Sequence, residues 1–425
     1  MKILQTVFQM MDYGGIVNYT ELLAQGLAAK GHTVDTVILR NSASAPYVKK
    51  PDTVVVGAYK SRLHDATLAH AAYGWYGMRV YSYGSVEQRK IWRTLANGYD
   101  AIIHQVPVPE ADAKGNWRKV FQVHPTQVLI AHDAHFPHLY PHMLDILPMI
   151  TGISTTHPAG YMALSGAPVP RCFIGGPHVL RPWKKQVPWD QRAKLFASAH
   201  VWKAWKHMDK VLRALPILMR TSSVENWIAG DGIEARYMRS VDKCKPKYAG
   251  IWKAAMKAGM HYDGMVSPLR SYQMHATARV MVDLSYSKAF EQYGNHYNRS
   301  LFEAFNAGCV PLVTHENMRE PKGLPHLFSA GDTHMEIAQD ATPEEVANAI
   351  RTICEMSPKR ARTIIETGRE LLLKHWSVER VTQYTLDMIA GKKTLGIYQR
   401  HAVGKVTPEL LAARNVHIAK AEATR

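Results

Sequence analysis

Three short stretches combine residue types that could handle a charged ligand or a reacting hydroxyl. In Asp12-Tyr13-Gly14-Gly15-Ile16-Val17-Asn18, two consecutive glycines precede a helical pattern. Backbone without side chains can come close to a ligand there, and a helix N-terminus turns free N–H groups toward phosphate or sugar oxygens. Residues 290–313 hold Glu291 and Glu303, a helical pattern opening at Ser300 and Leu301, and Gly308 ahead of a Val/Leu run. Ser300 is expected to cap that helix and Glu303 to stand in its first turn, where the helix dipole favours a carboxylate. His132-Asp133-Ala134-His135-Phe136-Pro137-His138 follows an apolar run. Such a cluster suits metal ligation at first sight, but no Cys joins it and Pro137 prevents a regular helix from aligning ligands, so no metal is expected. A histidine and a carboxylate at the C-terminal end of a parallel strand also stand where open α/β sheets take ligands. The plainer alternative is a loop histidine satisfied by local hydrogen bonds.

A fourth stretch, Val201-Trp202-Lys203-Ala204-Trp205-Lys206, sets two lysines ahead of a helix over 208–218. Either they neutralise an anion or they are solvated lysines flanking a helix. The glycine pair lacks the Gly-x-Gly-x-x-Gly fingerprint, and no Gly-x-x-x-x-Gly-Lys-[Ser/Thr] occurs. A dinucleotide-dependent dehydrogenase and a P-loop NTPase are therefore poorly supported.

The elements that must position these residues follow βαβ grammar. Short apolar runs at 3–8, 34–39, 53–58, 101–106, 127–132 and 150–155 read as buried strands, with an amphipathic helix over 19–30 ended by Gly31. Residues 175–188 dissolve into Pro, Gly, Trp and Lys, as a linker would. Strand patterns restart at 194–199, 227–229, 280–284 and 310–313, and amphipathic helices follow over 344–356, 359–374 and 378–389. The predicted organisation is an N-terminal α/β domain over 1–175, a linker over 176–190, and a second α/β domain over 191–375. A helix over 376–391 would cross back to the first domain, and a polar tail would run over 392–425.

Composition narrows the class. A chain of 425 residues, 46% hydrophobic and 20% charged, has enough apolar surface for two substantial cores, which excludes disorder as its main character. Lys and Arg outnumber Asp and Glu by 52 to 35, a net charge of +17, and residues 151–330 hold 24 basic against 12 acidic side chains. That excess points to a phosphate-bearing ligand or a nucleic-acid backbone on the second domain, or to a solvated basic face. The four cysteines form no Cys-x-x-Cys pair, the first residues do not read as a secretory signal, and no window is apolar enough to span a bilayer. A cytoplasmic location is expected.

The series Glu291, Tyr293-Gly294, Ser300-Leu301-Phe302-Glu303-Ala304, Gly308-Cys309-Val310-Pro311 resembles the donor segment of retaining GT-B glycosyltransferases. In that family one glutamate faces the donor sugar and a second binds the nucleotide ribose. The resemblance gives the first role to Glu291 and the second to Glu303, although eleven residues separate them here against the family's seven. Gly14 and Gly15 with the helix after them look like the family's opening, and Lys206 matches the lysine that neutralises the donor diphosphate. No arginine stands at its usual companion position, so His200 or Lys203 would have to substitute.

The strand leading into His132-Asp133-Ala134-His135, together with Gln105-Val106-Pro107 before it, is similar to the DNA α-glucosyltransferases of T-even bacteriophages. This resemblance spans most of the first 320 residues. It implies an α/β GT-B fold, two Rossmann-like domains facing across a cleft with C-terminal helices, and transfer with retention. The donor would be a nucleotide sugar, UDP-glucose or similar, as co-substrate with no essential metal. The acceptor would be a hydroxymethylated base in double-stranded DNA, with His132 on the sugar and Asp133 near the acceptor hydroxyl. A monomer in a host bacterial cytoplasm is implied. The alternative is a cytoplasmic GT-B enzyme acting on a polysaccharide, a lipid carrier or a small metabolite.

Overall fold

The computed structural model describes residues 1–7, 15–40, 60–61, 73–74, 80–82, 86–106, 120–132, 141–155, 161, 171–173, 187–200, 202–240, 245–266, 268–286, 299–318, 327–392 and 395–396. The expected strand over 53–58 lies outside them.

Runs of Val, Ile and Leu too short and too uniformly apolar for amphipathic helices form strands covered on both faces. In the first half these are β1 (Lys2–Val7), β2 (Thr33–Arg40), β5 (Val80–Ser82), β6 (Ala101–Val106), β7 (Gln127–Ala131), β8 (Gly152–Thr155) and β9 (Arg171–Phe173), with α1 (Gly15–Ala29) and α2 (Val86–Ala96) between them. A separate two-residue antiparallel pair joins β3 (Lys60–Ser61) to β4 (Tyr73–Gly74). The second half supplies β10 (Leu195–Ala199), β11 (Glu225–Ala229), β12 (Val280–Asp283), β13 (Val310–Thr314) and β14 (Met335–Ile337). Their helices are α3 (Met208–Thr221), α4 (Ile233–Arg239), α5 (Ile251–Lys257), α6 (Pro268–Thr277), α7 (Arg299–Ala307), α8 (His315–Met318), α9 (Pro343–Cys354), α10 (Pro358–Trp376) and α11 (Val378–Ile389).

Two parallel sheets result. One runs β15 (Leu395–Gly396)-β9-β8-β7-β6-β1-β2-β5 and the other β11-β10-β12-β13-β14. In both, the strand order reverses beside a central strand, which opens a crevice at the C-terminal strand ends. β15 (Leu395–Gly396) pairs with β9, so residues within the expected polar tail return to the first sheet.

The chain changes sheets at one corner. Trp376, at the end of α10, is buried against Phe302 and Phe328 beside the second sheet. Ser377 then accepts a hydrogen bond from the Arg380 N–H and caps α11. Val381, Met388 and Ile389 of α11 are buried with Ile3, Tyr19, Leu22, Val128 and Ile130 of the first sheet and α1. Gly26 of α1 meets α11 so closely that a Cβ there would overlap Thr382 Oγ1 and stand 2.8 Å from Val378 Cγ1.

Trp189 lies near the end of the stretch read as linker, residues 176–190. It is 5% exposed within the second core, and its indole N–H donates to the Met356 carbonyl at 3.4 Å.

Candidate active site

The polar groups of the second sheet converge where β10, β12 and β13 end. Asp283 closes β12 with its carboxylate buried. Its Oδ1 accepts from the Ser285 N–H at 3.1 Å and from the Ser285 hydroxyl, and its Oδ2 accepts from the Ser300 hydroxyl. Lys206 Nζ stands 3.6 Å and His200 Nδ1 3.9 Å from Oδ2. Burial alone would push this carboxyl up; the Lys206 and His200 charges and the Ser285 and Ser300 hydrogen bonds outweigh it and hold the group well below the usual carboxylate range. Lys206 is itself buried, and desolvation draws its ammonium below the ordinary lysine value against the opposing pull of Asp283.

Backbone geometry aims Lys206 at this point. Ala204–Lys206 form a 3-10 turn, and His207 takes a left-handed φ of 47°, unusual for a residue with a side chain, before α3 begins. The Tyr286 N–H donates to the Trp205 carbonyl at 2.8 Å, and His207 Nε2 donates to the Tyr286 carbonyl at 3.2 Å. The turn is thus tied to the chain leaving β12. Beyond β11, Gly230 at φ 115° passes so near the His200 carbonyl oxygen that a Cβ would overlap it.

One turn along α7 from Ser300, Glu303 Oε2 accepts from the Ser271 hydroxyl at 3.1 Å. His275 of α6 lies 4.0 Å from the same oxygen, wholly buried, with neither ring nitrogen hydrogen-bonded. Burial lowers its pKa to about 4. Arg192 holds the two helices against β10: its buried guanidinium donates to the carbonyls of His275 at 3.2 Å, Ala278 at 3.0 Å and Ala307 at 2.6 Å, and its Nε to Val187 at 2.8 Å.

In the first sheet His132 follows β7 and is 7% exposed. Its Nε2 lies 2.6 Å from Gln105 Oε1, and Tyr19 meets its ring edge-on at 5.0 Å. Burial lowers its pKa to about 3, so the imidazole is neutral.

Of the residues singled out from the sequence, Lys206 and Ser300 meet at Asp283, with Glu303 one turn beyond. Gly15 opens α1. Gly14, Asp133 and Glu291 lie outside the described residues. Lys203 is exposed ahead of the turn, and Leu301 is a core residue packed with Phe305 and Trp376. Two details differ from expectation. Because α7 begins at Arg299, Ser300 lies inside the helix and gives its hydroxyl to Asp283, and Glu303 falls past the first turn. Of the two candidates for the arginine missing beside Lys206, His200 is buried with Nε2 donating to the Val282 carbonyl at 2.9 Å, and Lys203 is exposed. Asp283, Ser271, His275 and Arg192 escaped the sequence reading. The one available signal was the lone acid ending the Val280-Met281-Val282 strand. Among the described residues no cluster of three or more His, Cys, Asp or Glu could hold a metal ion, and no helix is long and apolar enough to cross a membrane.

Residues 231–387 match a family model described as glycosyl transferase-like. No curated protein matches the chain. Among solved structures, a glycosyltransferase from Rickettsia africae superposes with a TM-score of 0.60 at 13% identity, covering 91% of this chain and 97% of its own. An alpha-glucosyltransferase solved with UDP and a 13-mer DNA containing a HMU base gives 0.58 at 11% identity, covering 92% and 99%. Sucrose-phosphate synthase from Thermosynechococcus elongatus gives 0.57 at 14%, covering 92% and 98%. The fold is GT-B. The GT-B match takes in both sheets and the helix that returns from the second to the first, and the family-model match falls on the half that carries Asp283, Ser300 and Glu303.

Proposed function

We propose that the protein transfers a sugar from a nucleotide sugar, UDP-glucose or a close analogue, to the hydroxyl of a hydroxymethylated base in double-stranded DNA, with retention of anomeric configuration. The observation that carries the reading is the convergence of Lys206, Ser300 and Glu303 at the strand ends of the second GT-B sheet, Ser300 and Glu303 lying within the stretch that matches the glycosyl transferase-like model. Residues 191–375 would hold the donor and residues 1–175 the acceptor.

The charges fit the steps such a transfer requires. A departing diphosphate develops negative charge, and Lys206, beside the N-terminal end of α7, offers an ammonium at a site where low dielectric strengthens its field. Glu303, already accepting from Ser271, would accept from ribose hydroxyls. His132 would contact the donor sugar, with Asp133 near the acceptor hydroxyl and Glu291 facing the donor sugar. A diphosphate oxygen on the face it leaves can take the acceptor proton, so no strong protein base is required.

The DNA acceptor is supported by the net charge of +17, concentrated in residues 151–330, and by the likeness to a glucosyltransferase crystallised with DNA. A second reading, transfer to a glycan, lipid carrier or small metabolite, draws on the comparable likeness to sucrose-phosphate synthase. UDP release from UDP-glucose, measured with hydroxymethylcytosine DNA, hydroxymethyluracil DNA and unmodified DNA, separates the two. Release that requires a hydroxymethylated base and disappears in Glu303→Ala establishes the first. No release with any DNA, and no salt-sensitive duplex binding, favours the second.

A further inference from the structure

A chain of side-chain amides crosses the first sheet beneath its ligand-binding edge, and its polarity is dictated from one end. Gln5 Nε2 donates to the Thr20 carbonyl of α1 at 3.3 Å. A backbone carbonyl can only accept, so the Gln5 amide must turn its nitrogen to Thr20 and its oxygen toward β6. There it accepts from Gln105 Nε2 at 2.9 Å. Gln105 must then present its own oxygen to His132, whose Nε2 is 2.6 Å away. An amide oxygen cannot donate, so His132 Nε2 carries the proton. In a neutral imidazole the other nitrogen is then a bare acceptor. Nδ1 is buried and has no hydrogen-bond partner.

We propose that Gln105 and Gln5 are positioning residues that lock His132 as the Nε2–H tautomer, so that Nδ1 serves as a neutral acceptor for a substrate hydroxyl. This rests on the transferase reading above. Three features support it together. All three side chains are buried, which protects the relay from water. It crosses β1, β6 and the end of β7, neighbouring strands of the sheet whose C-terminal ends form the crevice. An acceptor desolvated without a partner is costly to keep, and a ligand hydroxyl would relieve it. The role differs from that of a general base or a cation: the ring neither takes nor gives a proton, and it discriminates in favour of a hydroxyl that can donate.

The test is nitrogen NMR on protein labelled with 15N-histidine, the His132 signals being identified by their loss in His132→Asn. The wild type should show a protonated Nε2 and an unprotonated Nδ1, unchanged from pH 8 to pH 6. UDP-glucose should move the Nδ1 resonance toward the hydrogen-bonded range, and UDP alone should not. Gln105→Leu should abolish the single-tautomer signature and raise the donor KM tenfold or more, while UDP binding stays within twofold. Gln105→Glu restores an acceptor but stabilises the imidazolium, whose Nδ1 then donates. Its activity should fall as pH drops from 8 to 6, a limb that wild type lacks over that range. A wild-type Nδ1 that carries the proton, a signature surviving in Gln105→Leu, or an Nδ1 resonance that UDP-glucose leaves unmoved would each overturn the proposal. A wild type that releases no nucleotide from any nucleotide sugar would overturn the transferase reading, and with it the role given to Nδ1. Active wild type with an unaffected Gln105→Leu would overturn the relay alone.

Discussion

Lys206 Nζ and Asp283 Oδ2 lie 3.6 Å apart, the aspartate wholly buried and the lysine nearly so, one before α3 and the other at the end of β12. A buried ammonium keeps its proton only where a counter-charge offsets desolvation. Asp283 therefore maintains Lys206 as a cation while the site is empty. Asp283→Asn should cut transfer at least tenfold by weakening donor binding, and should cost about 3–5 kcal/mol of stability, the usual penalty for stranding one partner of a buried pair. Calorimetric UDP titration and urea denaturation of the same variant read the two effects separately.

The two lysines expected to face the donor should behave differently. Lys206→Ala removes the buried cation and should lower kcat/KM by about a hundredfold, roughly 2.7 kcal/mol of transition-state stabilisation. Lys203 is exposed, and Lys203→Ala should stay within about threefold of wild type. Steady-state assays under identical salt decide it.

Arg192 joins α6, α7 and β10 through four carbonyls. Arg192→Leu would leave the carbonyls of His275, Ala278 and Ala307 without a donor. Each buried orphan costs about 1–3 kcal/mol, so the variant should lose several kcal/mol. Arg192→Lys should recover only part of it, because an ammonium cannot reproduce the planar fork. Thermal denaturation of both variants tests this.

Gly26→Ala should loosen α11 from α1, since the added methyl has no room beside Thr382 and Val378. A destabilisation of about 1–3 kcal/mol is expected. Limited proteolysis should cut the returning C-terminal segment faster than it does in wild type.

Among the described residues, burial holds three histidines neutral: His132 with a pKa of about 3, and His104 and His275 each at about 4. Their folded values are depressed below the unfolded value of about 6.5. The stability they carry is therefore complete above pH 6.5 and declines as pH falls and the unfolded chain binds the protons. Three such groups give a slope approaching about 4 kcal/mol per pH unit below pH 6, so cooperative unfolding is expected near pH 5. Urea denaturation from pH 8 to pH 5 measures that slope.

The strand and helix sequence was readable because burial on both faces demands unbroken Val, Ile and Leu runs, and helices demand their own period: 101–106, 127–132, 280–284 and 310–313 all read as strands from the sequence. Glu303 and Lys206 were readable because they sit in short ordered motifs beside glycines and a helix start. Asp283, His275 and Arg192 carry no such local mark. Asp283 meets Lys206 across 77 positions and Arg192 meets Ala307 across 115, so only the closing of the second sheet brings them together. The tautomer of His132 depends in the same way on Gln105, Gln5 and a carbonyl of α1. By itself the sequence determined which segments become strands and helices and which motifs carry charge. Tertiary structure alone decided which buried polar groups pair, because pairing follows distance in space, and local pattern does not encode that distance.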